Sequence, residues 1–173
     1  MRQKALIVWG ALCGGPLFLP MVALVVPPLL DGVDNLGYMR FVLVVPAFTL
    51  LLVAALWRGV LLPRALGAKK FAEGVAAEVA ERDPVLRARV LVERSDARFF
   101  GLNVVGIALS EGGGLLAGVA LLLLGVDSVP GAMAVGLSLL LLALHCPTAA
   151  RFDDAAERVC KAAGVTGGGA SAT

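Results

Sequence analysis

Charge is scarce in this sequence. Only 16% of its 173 residues are Asp, Glu, Lys or Arg, against about a quarter in an ordinary soluble domain. Histidine is nearly missing. His145 stands alone, so no His–acid pair of the kind used in acid–base or nucleophilic catalysis is available outside the apolar blocks. The three cysteines, Cys13, Cys146 and Cys160, are an odd number without paired spacing, and they read as small apolar residues. His145-Cys146-Pro147 sets two metal-binding residue types side by side, but adjacent side chains seldom point at one ion, so no metal is expected. Residues 31–37 (DGVDNLG) lack the ligand spacing of a calcium loop, and residues 67–70 (GAKK) lack the glycines of a phosphate-binding loop. A non-enzymatic protein is expected, with no catalytic residue, no cofactor and no nucleic-acid partner.

Apolar sequence is what the chain has in quantity: 59% of residues are hydrophobic and the mean hydropathy is +0.90. Most charges fall in residues 1–4, 64–98 and 151–161, leaving apolar blocks at about 5–30, 41–63, 99–126 and 129–147. A hydrocarbon core ~30 Å thick takes ~20 apolar helical residues to cross. Backbone groups in lipid must be satisfied internally, so the blocks are helices. The expected fold is all-α: a polytopic membrane protein with four transmembrane helices forming one domain, residues 1–163, and a short amphipathic helical insert at 64–98. The tail, residues 164–173 (GVTGGGASAT), cannot bury anything and is expected to be disordered. Met1-Arg2-Gln3-Lys4 resembles the start of a signal peptide. The apolar run after it is roughly 26 residues, however, where a signal peptide has 7–15, and no A-x-A site follows. The first block is therefore expected to stay as a span.

Basic residues in short loops mark the cytoplasmic side. Arg2 and Lys4 precede the first block; Arg58, Arg64, Lys69, Lys70, Arg82, Arg87, Arg89, Arg94 and Arg98 lie between the second and third; Arg151, Arg158 and Lys161 follow the fourth. Of the 15 basic residues only Arg40 falls on the opposite side, with Asp31, Asp34 and the Asp127 turn. Both termini are expected in the cytoplasm, with the protein in a bacterial inner membrane.

Pro16, Pro20, Pro27 and Pro28 crowd the first block, so a bent helix ending at Pro27-Pro28 is expected. Trp57-Arg58 suits a membrane interface, as do Tyr38 and Phe99-Phe100. Residues 125–131 (GVDSVPG) make a tight hairpin connection, with Gly131 in the turn. In the insert, Phe71, Val75 and Val79 recur every four residues, and Glu78 and Arg82 have the spacing of a weak helical pair. Asp83-Pro84 then ends one helix and opens another. The residues after it, 87–95 (RARVLVERS), are ambiguous between helix and strand. The insert reads either as helices lying on the membrane surface or as a docking site for a cytoplasmic partner, the first being favoured.

One acid lies deep in an apolar block. Glu111 sits almost at the midpoint of 99–126, in residues 108–116 (ALSEGGGLL). A charge there costs ~3 kcal/mol or more, so a neutral carboxyl facing other helices is expected. Ala108, Glu111, Gly114, Gly118 and Gly125 recur at helical spacing as a small-residue stripe, and Gly114-x-x-x-Gly118 is a pattern that lets helices approach closely. Glycine would clear space for a neighbouring helix, to which Glu111 offers a hydrogen bond or a bound cation. Ser110, Thr49, Asn103 and Ser138 are candidates for that bond, Asn103 being shallow and Thr49 in the outer half.

Residues 106–125, with "ALSEGGGLLAGVALLLLG" at their heart, are similar to the carboxylate-bearing helix of rotary ATP synthase c-subunits, which implies a mid-membrane acid carrying a proton or sodium ion. Four spans, the long insert and the lack of a repeated Gly-x-Gly helix depart from that family and argue against a rotor ring. The layout also resembles a group of small uncharacterised four-span bacterial membrane proteins, with an Ala-Leu-x-Glu helix third and a short fourth span ending in Leu144-His145-Cys146-Pro147. No activity comes with that resemblance. The expected function is a small accessory or structural subunit packed around a mid-membrane carboxyl, in contact with lipid and with a membrane-protein partner or a second copy of itself. The alternative is a proton- or cation-binding component of a transport system that uses Glu111.

Overall fold

A computed structural model describes residues 2–30, 36–80, 83–125 and 128–162. Among them every regular element is helical: α1 (Arg2–Leu12), α2 (Gly14–Ala23), α3 (Leu36–Leu56), a π-helical turn (Trp57–Leu61), α4 (Leu62–Leu66), α5 (Lys69–Val79), α6 (Pro84–Leu124), α7 (Val129–Leu144) and α8 (Ala149–Ala162). Three stretches are long and apolar enough to cross a membrane: Arg2–Ala23, Tyr38–Glu78 and Arg89–Leu124. A fourth arises only if α7 and α8, bent by 64° at their junction, are taken as one span. Alone, the 16 residues of α7 rise about 24 Å, short of the hydrocarbon core.

Proline sets the breaks. The ring of Pro16 would meet the carbonyl of Leu12, four residues back, and the first stretch interrupts at Cys13, between α1 and α2. After Pro27-Pro28 the chain turns along the end of α6. There the Leu29 and Leu30 N–H groups donate to Leu122 and Leu123 carbonyls at 3.3 and 3.1 Å, filling acceptors that a helix end leaves open. Pro63 cannot donate to Gly59, and the preceding turn widens so that Leu62 N–H reaches back to the Trp57 carbonyl.

The central element is α6, which touches every other helix. Its 41 residues join the expected third span to the second half of the insert without interruption. The stretch 87–95, ambiguous in sequence, is helical. No glycine or proline lies between Val85 and Phe100, so nothing stops a helix begun at Pro84 before the apolar block begins. The apolar stripe of α5 is taken up within the chain: Val75 packs on Leu91 of α6, with Phe71, Val90 and Cys160 around them. Glu78 accepts two bonds from Arg94, both at 3.1 Å; its expected partner Arg82, the turn at Asp127, Asp34 and the tail 164–173 lie outside the described residues.

Two cores result. Between the apolar helices lie Ala47, Leu51, Ala117, Leu121, Ala134 and Leu141. At the charged end Phe99, Phe152, Ala5, Leu62, Leu66 and Ala155 pack together. Phe99 was expected in an interfacial belt. It is buried edge-on against Phe152, ring centroids 4.9 Å apart, because α8 folds back beneath α6. Large apolar side chains on α1, α2, α3 and α7, among them Ile7, Phe18, Met21, Phe41 and Met133, are exposed in the isolated chain, as a lipid-facing surface requires.

Candidate intramembrane site

The run Glu111-Gly112-Gly113-Gly114 is where α2, α3 and α7 converge on α6. A β-carbon at Gly113 would stand 2.7 Å from Leu51 and 3.1 Å from the Ala47 carbonyl, both on α3. At Gly114 it would stand 2.9 Å from Cβ of Pro16 on α2 and would meet the Ser138 hydroxyl of α7. Real side chains do not approach so closely, so three helices fit against α6 only where it carries no side chain. The same seam continues outward. A β-carbon at Gly118 would lie 2.7 Å from Leu19, and one at Gly125, where φ is +89°, would lie 2.9 Å from Pro28. The proline-rich first stretch thus rests in the glycine groove of α6, Pro16 at Gly114, Leu19 at Gly118 and Pro28 at Gly125. Ala108 is exposed and stands outside this seam; at 100° per residue it lies about 120° around the helix from Gly114.

Glu111 is half-buried. Its Oε1 faces Gly15 of α2, 3.5 Å from where a β-carbon would be, while Leu115 would stand at 2.9 Å, so glycine there makes room chiefly for Leu115. The carboxyl makes no hydrogen bond among the described residues. Each of its four expected partners bonds elsewhere. Ser110 donates to the Gly106 carbonyl at 2.8 Å and Thr49 to Val45 at 2.8 Å, the local back-bonding common for hydroxyls in helices. Ser138 reaches across from α7 to the Ser110 carbonyl at 2.7 Å, and Asn103 donates to the His145 carbonyl at 2.8 Å. Cys13, in the break between α1 and α2, lies near Glu111 and Cys146. No group of three or more His, Cys, Asp or Glu suited to a metal occurs among the described residues.

A second polar cluster lies toward the charged end. His145, the C-terminal cap of α7, is fully buried. Its Nδ1 lies 2.7 Å from the Leu141 carbonyl, which makes Nδ1 the protonated nitrogen. Nε2 sits against Gly106, without a hydrogen-bond partner among the described residues. Trp57 Nε1 donates to Leu102 at 2.9 Å and Trp9 Nε1 to Leu142 at 2.8 Å, tying α1 and the π turn to their neighbours. Below them Arg2 spans Asp96 of α6 at 3.1 Å and Asp153 of α8 at 2.9 Å, with its guanidinium 5.2 Å from the Phe152 ring centre. Sequence reasoning passed over Gly106, Asp96 and α8. A signal for α8 was present: Phe152, Ala155 and Val159 fall at i, i+3 and i+7 among charged residues, and all three are buried.

Comparison with known family models, with curated proteins and with solved structures returned no match.

Proposed function

We propose that this chain is a small inner-membrane accessory subunit with four spans, α7 being a short fourth span and α8 a surface helix, and with both termini in the cytoplasm. On this reading it is not an enzyme. Glu111 is the point at which it engages a membrane partner, a second protein or a second copy of itself. One observation supports this above the others. The carboxyl is unbonded among the described residues, while Thr49, Asn103, Ser110 and Ser138 each donate to a backbone carbonyl instead. A polar group that costs several kcal/mol to leave unsatisfied in hydrocarbon then finds its partner on another chain. The half-exposure of Glu111 favours a second reading, a carboxyl that binds a proton or cation.

Substitution separates the two. Gln retains a donor and an acceptor but cannot titrate. If Glu111 bonds to a partner helix, Glu111→Gln keeps association in mild detergent, measured by crosslinking and size, while Glu111→Leu weakens it by ~1 kcal/mol, about fivefold. If Glu111 is an exchange site, both variants lose activity alike. A wild-type protein that remains a lone monomer in native membranes contradicts the partner reading.

A further inference from the structure

At the charged end, the π turn, α4, α6 and α8 line an open-sided cavity of about 270 Å³. Three arginines line it: Arg58 from the π turn, and Arg151 and Arg158 from α8. Seven residues is close to two helical turns, so the two arginines of α8 share a face. Asp154 is the only acid in the lining, and it forms no ion pair among the described residues. Arg58 and Arg158 likewise have neither a hydrogen bond nor an ion pair there. Arg151 uses Nη1 to cap the carbonyls of Leu144 and Cys146, with Nε and Nη2 unbonded among the described residues. Arg58 and Arg151 are near enough for their charges to act on each other, and both act on His145. The remaining wall is apolar, with Leu62 and Phe99 among its residues. Like charges gathered around a cavity with one exposed acid between them repel, and an anion in that space reverses the sign of the interaction.

We propose that this cavity binds the phosphate group of an anionic ligand, with Arg58, Arg151 and Arg158 as its donors. A guanidinium fork matches phosphate oxygens in pairs. Basic pockets beside transmembrane helices at the cytoplasmic face suit anionic lipid headgroups, and the apolar wall accommodates the glycerol and chain that follow such a headgroup. A soluble phosphate offers the same oxygens without the apolar part. The site stands on charge and shape and is independent of the role of Glu111.

The test uses the full-length protein in maltoside detergent, with binding read by native mass spectrometry and thermal melting. The probes are phosphatidylglycerol, phosphatidylcholine and inorganic phosphate. Phosphatidylglycerol is expected to bind roughly tenfold more tightly than phosphatidylcholine, and Arg58→Gln with Arg158→Gln to weaken it by roughly tenfold or more, with the lipid-free melting temperature unchanged. Asp154→Asn is expected to tighten binding severalfold, a gain that misfolding does not produce. Phosphatidylglycerol that survives an excess of inorganic phosphate assigns the site to lipid; inorganic phosphate that binds and displaces it assigns the site to a soluble phosphate. A wild-type protein that binds inorganic phosphate no better than chloride and prefers neither lipid overturns the proposal. So does a double variant that binds as wild type does, or an Asp154→Asn protein that binds more weakly.

Discussion

A glycine inside a helix costs up to ~1 kcal/mol relative to alanine, yet α6 carries three in succession beside a carboxyl. The contacts explain the choice: Gly113 admits the backbone of α3, and Gly114 admits Pro16 and Ser138 together. Gly113→Leu or Gly114→Leu is expected to destabilise the fold in detergent by ~1–3 kcal/mol or more, as overpacking does. Gly136→Leu, where nothing lies within 4 Å, should be close to neutral, and equal losses at all three positions would contradict the packing described. Gly131 does not serve as the neutral control that a turn position suggests. It lies inside α7, buried, 2.9 Å from Leu121 on the same measure, because the helix starts at Val129 rather than after the glycine. The spacing of Gly114, Gly118 and Gly125 along one face of α6 was legible, since it follows from helical periodicity. The lack of a bond to Glu111 was not, because it depends on which carbonyl each hydroxyl finds in the folded chain.

At the scale of elements, hydropathy located the apolar stretches but not where the helices end. The boundary expected at residue 98 is only a change of composition along one helix, and helix propensity continues through it. The π turn is equally hidden, arising from Pro63 acting on the carbonyl of Gly59 four residues back. Missing α8 had a different cause: its six charged residues weigh more in a hydropathy reading than three apolar ones on a single face. That face closes the lower core. Phe152→Ala is expected to cost about 3 kcal/mol or more and to release α8, raising amide hydrogen exchange across Ala149–Ala162 while leaving α7 protected. Unchanged exchange in α8 would mean that Phe152 does not anchor it.

For the molecule as a whole, charge asymmetry is the basis of the proposed orientation, and α6 gives the architecture, a long helix against which the other apolar helices and the charged-end helices are arranged. A reporter inserted at Gly74 and one fused after Thr173 should both report the cytoplasm, with one in residues 31–35 external; Gly74 reporting the external side would reverse the topology. The central claim is that Glu111 is a neutral carboxyl left without a partner among the described residues of its own chain. Labelling with a hydrophobic carbodiimide, which attacks protonated carboxyls reached from lipid or a pocket, tests it directly. The purified monomer should be modified at Glu111 and identified there by mass spectrometry, and the same residue should be protected in native membranes, where the partner covers it. A Glu111 that resists the reagent in the purified monomer would show a carboxyl sealed or bonded within the chain, and would contradict the account.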